Sequence, residues 1–123
     1  MPAYDIATAR RWDVVVLPFP FSDRLAEKRR PALLISGDAL HRGYGLLWVA
    51  MITSAKSTSW ACDVVIEDLP AAGLSAPSVV RPAKIACIEA GRVVRAAGRI
   101  AASEALRVEY ELANLVSNTA RQD

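Results

Sequence analysis

The stretch that decides the fold is Lys28-Arg29-Arg30-Pro31-Ala32-Leu33-Leu34-Ile35-Ser36, in which three cations end at a proline and an apolar run follows at once. Pro31 has no N–H to donate and disfavours helical geometry at Arg30, so a strand is expected to open here. The apolar residues 32–35 predict a short buried strand. A guanidinium fixed at the mouth of such a strand suits phosphate recognition, because its planar fork matches pairs of phosphate oxygens. The alternative is an ordinary solvated loop end.

Composition predicts one globular domain over residues 1–123. The chain is 53% hydrophobic, which favours a compact core over disorder. No apolar run approaches the roughly 20 residues that span a bilayer. The N-terminal residues, with Asp5 before Arg10 and Arg11, do not resemble a secretory signal. We therefore expect a cytoplasmic protein without a membrane partner.

Cysteine and histidine usage argues against a metal centre. Cys62 and Cys87 are far apart and in no metal-ligand spacing, so both are expected to be small core residues. The single histidine, His41, makes a histidine-rich metal site implausible and is incompatible with a two-histidine nuclease. We expect no metal and no other cofactor.

Positive charge is concentrated in two stretches. One is the run that ends at Arg30. The other holds five cations opposed only by Glu89: Arg81, Lys84, Arg92, Arg95 and Arg99. If folding brings both stretches to one face, that face favours a polyanionic partner.

Short apolar and β-branched runs predict six strands. They cover residues 13–17, 32–35, 46–52, 63–67, 78–81 and 84–88, and Pro82 is expected to separate the last two. Residues 1–11 are predicted to be a loosely packed lead-in. Residues 18–21 are predicted to be extended, and residues 22–30, 37–45 and 55–61 to be loops. A turn over 69–74 and a basic connection over 91–99, stopped by Gly98, complete this reading.

A single helix is predicted near the C-terminal end, from an N-cap at Ser103 to about Val116. Glu104 suits the positive end of its dipole. Apolar residues recur at spacings of three and four, at Ala105, Val108, Leu112 and Leu115 or Val116, and predict its buried face. With no helices between strands, βαβ units are excluded. The prediction is a mainly β, α+β fold: a small bent antiparallel sheet or half-open barrel with its helix on one side.

The order of motifs resembles that of PemK/MazF-type toxins over residues 12–118. The resemblance is carried by residues 12–20 (WDVVVLPFP), 28–36 (KRRPALLIS), 52–54 (ITS), 69–74 (LPAAGL), 78–82 (SVVRP) and 98–100 (GRI). It implies an SH3-like barrel that works as a homodimer. It also implies metal-independent cleavage of single-stranded RNA, leaving a 2′,3′-cyclic phosphate and a 5′-hydroxyl, and inhibition by a cognate MazE-like antitoxin.

The resemblance also implies catalytic residues. Arg30 and Thr53 match the catalytic pair of MazF-like members. Arg81 matches an arginine that is catalytic in the PemK/Kid branch, but Ala83 stands where that branch has an aspartate. Trp12 replaces the glycine that usually precedes the first aspartate.

Each candidate has an ordinary alternative. Thr53 suits a strand end on β-propensity alone, and Arg81 suits an interstrand ion pair. Further candidate RNA contacts are Ser54, the cations Arg29, Lys56 and Lys84, and Trp60, whose ring can stack on a base or pack against its own loop. His41 and Tyr44 are weaker candidates.

Two other functions remain open on the sequence. The missing acid at Ala83 suits a homologue that binds RNA or an antitoxin without cutting. A gyrase poison of the CcdB kind would share the fold, but the C-terminal residues 117–123 lack the tryptophan typical of that group.

Overall fold

The computed structural model describes residues 8–18 and 28–117, and these form one antiparallel sheet of six strands. The strands are β1 (Asp13–Pro18), β2 (Arg29–Leu34), β3 (Leu46–Ser54), β4 (Val64–Ile66), β5 (Ser78–Glu89) and β6 (Arg95–Arg99). Their order is β4-β5-β3-β2-β1-β6, so β3 and β2 are central. The predicted mainly β half-barrel with a C-terminal helix is confirmed.

Three α-helices and a 3-10 turn connect or close the described strands. They are α1 (Asp38–Tyr44), α2 (Leu69–Ala72), the turn at Ala90–Arg92, and α3 (Ala102–Val116). The predictions of a loop over 37–45 and an irregular turn over 69–74 were therefore wrong. Helices α1 and α2 each end at a glycine with positive φ, Gly45 at 68° and Gly73 at 74°. The Asp68 side chain accepts a hydrogen bond from Ala71 N at 3.2 Å and caps α2.

Alternating side chains build a core on each face of the sheet. On one face Val15, Leu17, Ala32, Leu34 and Val49 are buried together. The other face packs against α3 and α2 and buries a second set: Val14, Leu33, Ala50, Ile52, Val80 and Val108. Strands β1, β2 and β3 have buried residues on both sides, which explains why each contains a continuous apolar run.

Strand boundaries differ from the sequence prediction in three places. β2 begins at Arg29, because Arg30 and Arg29 pair with Leu17 and Pro18 of β1. The two strands expected around Pro82 are one strand, β5. Its register with β3 passes from Ala50↔Ile85 to Met51↔Arg81, so that residues 82–84 form a bulge that accommodates the proline. The basic connection over 91–99 contains β6, which pairs with β1.

Two glycines allow α2 to lie against β6. A Cβ at Gly98 would meet the carbonyl oxygen of Ala71 at 2.2 Å, and a Cβ at Gly73 would meet that of Ala97 at 2.0 Å. Since α2 directly follows β4, this contact brings the two outer strands of the sheet toward each other. Gly98 therefore serves close packing and does not stop a loop as predicted.

The N-terminal lead-in was predicted to be loosely packed, and its described part is not. Ala9 is buried, and Arg11 donates from Nε to the carbonyl of Ile35 at 2.8 Å. Residues 1–7, the extended segment 19–21 and residues 22–27 of the predicted charged loop lie outside the described residues.

The C-terminal helix and one cysteine also differ in detail. The N-cap of α3 is Ala101 and not Ser103, which lies inside the first turn. Ala105 and Val108 are buried as predicted, but Leu115 and Val116 are exposed. Cys62 is buried, whereas Cys87 is exposed. None of the helices in the described part of the chain is both long and apolar enough to cross a membrane.

Candidate active site

Strand pairing places Arg30 across from Thr53. β2 and β3 pair at Leu34↔Val49, Leu33↔Ala50 and Ala32↔Met51. Continuing this antiparallel register by two residues brings Arg30 opposite Thr53, with both side chains on one face. The strand that follows Pro31 thus fixes a cation beside a hydroxyl.

Both residues line a cleft of about 370 Å³ at this end of the sheet. The remaining lining residues come from β2, the end of β3, the loop after it, and the start of β5 with the two residues before it: Pro31, Ile52, Ser54, Ser57, Ala76, Pro77 and Ser78. The cleft therefore joins one cation with several hydroxyl groups. Ser54 belongs to it, although alternation along a strand had predicted the opposite face for its side chain.

The hydroxyls around the cleft differ in how firmly they are held. The oxygens of Thr53 and Ser57 are 3.4 Å apart, which is long for a hydrogen bond between hydroxyls. Ser54 Oγ accepts from Lys56 N at 3.1 Å, and Ser78 Oγ donates to the Ala76 carbonyl at 2.8 Å. The hydroxyls of Thr53 and Ser57 are thus less firmly engaged than those of Ser54 and Ser78.

Arg30 is partly exposed and has an enclosed, unsatisfied donor. Its Nε is buried and has no hydrogen-bond acceptor among the described residues. Leaving a buried donor unpaired costs free energy, so the binding of an acceptor to this Nε is favourable.

Arg81, the third predicted catalytic residue, does not line this cleft. Its register position opposite Met51 shares the face of Thr53, but its guanidinium is directed to the loop before β4. Nε donates to Asp63 Oδ1 and Nη2 to Asp63 Oδ2, each at 2.9 Å, and Nη2 also donates to the Thr58 carbonyl at 2.8 Å. Arg81 therefore forms an ion pair, which is the alternative role that its sequence position also suits. Ala83 is exposed and supplies no acid.

The pair is buried, and both pKa values shift to keep it charged. Burial on its own would raise the pKa of Asp63, but the hydrogen bonds from Arg81 and Trp60 N and the charge of Arg81 outweigh it, so that pKa is lowered. The hydrogen bond to Asp63 raises the pKa of Arg81 further above its usual value.

Trp60 is stacked on the same guanidinium. Its ring centroid lies 4.3 Å from Arg81 Cζ and 6.0 Å from Lys84 Nζ, and the residue is 41% exposed. The ring therefore packs on a side chain of β5, while the residue still reaches solvent. Both predicted roles of Trp60 are compatible with this position.

Two further predicted RNA contacts, Arg29 and Lys56, differ in their position relative to the cleft. Arg29 is exposed and, next to Arg30 on β2, points to the other face of the sheet. Lys56 is exposed on the loop that lines the cleft. Two cations of the second basic stretch are already engaged within the chain: Arg81 is buried on Asp63, and Arg99 is paired with Asp13 at 2.7 Å.

Two participants were missed in the sequence. Ser57 lines the cleft, and Asp63 pairs with Arg81; the first lies in a serine-rich loop and the second just before a strand. Strand register is the feature that points to Asp63. Continuing the β4–β5 pairing by one residue beyond Val64↔Val80 sets Asp63 opposite Arg81.

A second cleft of about 420 Å³ lies between β4 and α3, lined by Val64, Val65, Leu106 and Tyr110 among others. Its cation Arg107 is paired with Glu67 at 3.3 Å. In residues 8–18 and 28–117, no three His, Cys, Asp or Glu side chains are grouped closely enough to hold a metal ion.

Solved structures share this fold. A chain of the MazE-MazF crystal structure (Form-II) from Deinococcus radiodurans is 21% identical, with a TM-score of 0.70 over 90% of this chain and 97% of that one. The Mycobacterium tuberculosis toxin MazF-mt6 is also 21% identical, with a TM-score of 0.68 over 85% and 95%. An endoribonuclease in complex with its cognate antitoxin, from a mycobacterial species, is 13% identical, with a TM-score of 0.72 over 93% and 100%.

The sequence itself matches a family model. No curated protein sequence matches the chain significantly. Residues 10–116 match the model described as PemK-like, MazF-like toxin of type II toxin-antitoxin system. This range holds β1 to α3 and both Arg30 and Thr53, which line the cleft. The chain therefore belongs to the family of PemK-like, MazF-like toxins of type II toxin–antitoxin systems.

Proposed function

We propose that this toxin is a metal-independent, sequence-specific endoribonuclease that cuts single-stranded RNA, mRNA above all, and so stops translation and growth. The observation that carries the proposal is the shared cleft of Arg30 and Thr53. Family membership supports it, and so does the similarity to the mycobacterial endoribonuclease.

In this proposal, Arg30 is an electrostatic clamp. Its fork binds the non-bridging oxygens of the scissile phosphate and stabilises the charge that builds up on phosphorus. An arginine stays charged throughout the physiological pH range and is therefore a poor proton donor. Strand β2 fixes the backbone of Arg30, and its enclosed Nε, which has no acceptor among the described residues, is free to donate to a phosphate oxygen.

Thr53 orients the substrate. Its hydroxyl is only loosely engaged with Ser57, so it can accept from the ribose 2′-hydroxyl or donate to the phosphate. A hydroxyl at the end of a central strand is fixed by the sheet, which favours the in-line geometry that internal cleavage needs.

The reaction is an internal phosphoryl transfer. The 2′-oxygen forms a bond to phosphorus as the bond from phosphorus to the 5′-oxygen breaks. The proton of the 2′-hydroxyl passes to water, and the leaving 5′-oxygen takes a proton from water. The products are a 2′,3′-cyclic phosphate and a 5′-hydroxyl, and no metal ion takes part.

The surroundings of the cleft supply contacts to RNA. Lys56 and Ser54 are closest to the reacting phosphate, Arg29 and Lys84 contact more distant phosphates, and the exposed side of Trp60 stacks on an unpaired base. The partners proposed for this chain are single-stranded RNA, a cognate MazE-like antitoxin and a second copy of the chain.

The test combines induced expression with mapping of RNA 5′ ends and with cleavage of purified RNA in EDTA. We expect new 5′-hydroxyl ends at one short sequence. Intact RNA that is bound with a steep salt dependence would overturn nuclease activity in favour of an inactive binder. Trapped gyrase–DNA cleavage complexes without RNA cleavage would point to a gyrase poison.

A further inference from the structure

We propose that Arg81 is a positioning residue that holds the loop over residues 55–63, the β3–β4 loop, and thereby places Ser57 beside Thr53 in the cleft. The part of this proposal that is tested by RNA cleavage rests on the proposed nuclease function. The role differs from direct contact between Arg81 and the scissile phosphate.

The described hydrogen bonds of the Arg81 guanidinium end on this loop. Two run to the carboxylate of Asp63, at 2.9 Å each, and one runs to the carbonyl of Thr58 at 2.8 Å. The Trp60 ring covers the group at 4.3 Å. One side chain of β5 therefore holds three points along six residues of loop.

The guanidinium is not available to a phosphate without loss of this arrangement. The Arg81 side chain is 8% exposed and that of Asp63 is 7% exposed. Removing one partner of a buried ion pair leaves the other charge unpaired, which is strongly unfavourable. An RNA phosphate that captured Arg81 would leave the Asp63 carboxylate in that state.

The clamped part of the loop is adjacent to the cleft. Ser57 directly precedes Thr58, whose carbonyl Arg81 holds, and Ser57 N donates to the Ser54 carbonyl at 3.0 Å. At the near end of the loop, Ala55 N donates to the Pro77 carbonyl at 3.0 Å. Ser57 is thus held by its own amide hydrogen bond and by the restraint on the neighbouring Thr58. Breaking the bond from Arg81 to the Thr58 carbonyl removes the second restraint.

Asp63→Asn separates positioning from direct catalysis. If Arg81 acted on the phosphate, breaking its bond to Asp63 would free the guanidinium and remove a negative charge, so cleavage would be unchanged or faster. If Arg81 positions the loop, Asp63→Asn loosens the loop and slows cleavage as Arg81→Met does.

Asp13→Asn is the matched control. Asp13 accepts from Arg10 N at 2.9 Å and pairs with Arg99, as Asp63 accepts from Trp60 N at 2.9 Å and pairs with Arg81. It lies beside β6, outside the cleft. We expect its cleavage rate to be that of the wild type.

The experiment measures kcat and KM on a single-stranded RNA in EDTA, well below each variant's melting temperature. We expect Arg81→Met and Asp63→Asn each to lower kcat by about 10- to 100-fold. The double variant should lose no more than either single one, because both changes release the same loop. A purely structural role would leave kcat per folded molecule unchanged.

Amide hydrogen exchange gives a readout that needs no activity. The amides of Ser57, Trp60 and Asp63 should lose protection in both variants, while those of β2 and β3 keep theirs. Unchanged loop protection, additive losses of kcat, or Asp63→Asn at wild-type rate would overturn the proposal. If Arg81→Met fails to fold, Asp63→Asn alone decides. If the wild type cuts no RNA, the nuclease function fails, and exchange still decides whether Arg81 holds the loop.

Discussion

Arg30 on β2 and Thr53 on β3 line one cleft, and the β2–β3 register, continued by two residues, sets them opposite each other. The arrangement depends on backbone pairing and not on flexible loops. It therefore presents a fixed charge and a fixed hydroxyl to whatever enters, as preorganised catalysis requires. Changes to either side chain should alter activity with little effect on the fold.

Thr53→Val keeps the β-branched shape and removes the hydroxyl. We expect kcat on single-stranded RNA to fall by about 10- to 100-fold, because a hydrogen bond to a charged group contributes about 1.5–3 kcal/mol. Thr53→Ser keeps the hydroxyl and should retain most of the activity. Equal rates for Thr53→Val and the wild type would remove Thr53 from the mechanism.

The Asp63–Arg81 pair should make stability depend on acid pH. The pKa of Asp63 is lowered in the folded state, so its contribution is present above the unfolded value of about 3.9 and is lost as the pH falls through the folded value. At pH 7, Asp63→Asn should destabilise the fold by about 3 kcal/mol. In urea unfolding, this difference from the wild type should shrink between about pH 5 and pH 3. A difference that stays constant over that range would contradict the assignment.

Trp12 has a φ of +82°, in the region that favours glycine. The ring still contributes, because it packs on the core beside α3 and lies 4.3 Å from the Arg11 guanidinium. We expect both Trp12→Gly and Trp12→Ala to be less stable than the wild type. The free energy of unfolding of the glycine variant should exceed that of the alanine variant by about 1 kcal/mol, because alanine has a Cβ that is strained at positive φ and glycine has none. Thermal unfolding compares the two, and an alanine variant that equals the glycine variant would show that position 12 is unstrained.

Glu104 is a buried carboxylate that serves three backbone donors. It accepts from Glu67 N at 2.6 Å, from Ala101 N at 3.0 Å and from Asp68 N at 3.1 Å, and so ties α3 to the segment after β4. Glu104→Gln leaves one oxygen for these amides and should cost about 1–3 kcal/mol in urea unfolding.

Glu109→Gln is the control for Glu104→Gln. Glu109 forms an exposed ion pair with Arg11 at 3.3 Å, and such pairs contribute at most about 1 kcal/mol. Equal effects of the two changes would show that Glu104 is not a structural anchor.

The sequence predicted those elements whose signal is local. Runs such as residues 13–17 and 46–52 are apolar and β-branched, and each is a strand of the sheet. The helices α1 and α2 were missed because they have seven and four residues, too short for a period of 3.6 to show. The bulge at Pro82 was missed because β3 pairs with β5 on both sides of the proline and so holds β5 continuous.

The site was partly predictable for the same reason. Arg30 and Thr53 stand at strand ends in family order, and pairing of β2 with β3 brings them together. The contact of Arg81 with Asp63 joins residues 18 positions apart, and nothing in the local sequence indicates it. Ser54 lines the cleft from the last position of β3 and Ser57 from the loop after it, and alternation along a strand predicts neither placement.

The central claim is that Arg30 stabilises the charge of the cleavage transition state. Single-turnover cleavage of one RNA in EDTA by wild type, Arg30→Ala and Arg29→Ala tests it most directly, since Arg29 is an exposed cation one residue away on the other face of β2. We predict a loss of about 10²- to 10³-fold for Arg30→Ala, and for Arg29→Ala only weaker, salt-dependent binding. Cleavage by Arg30→Ala at the rate of Arg29→Ala would contradict the account.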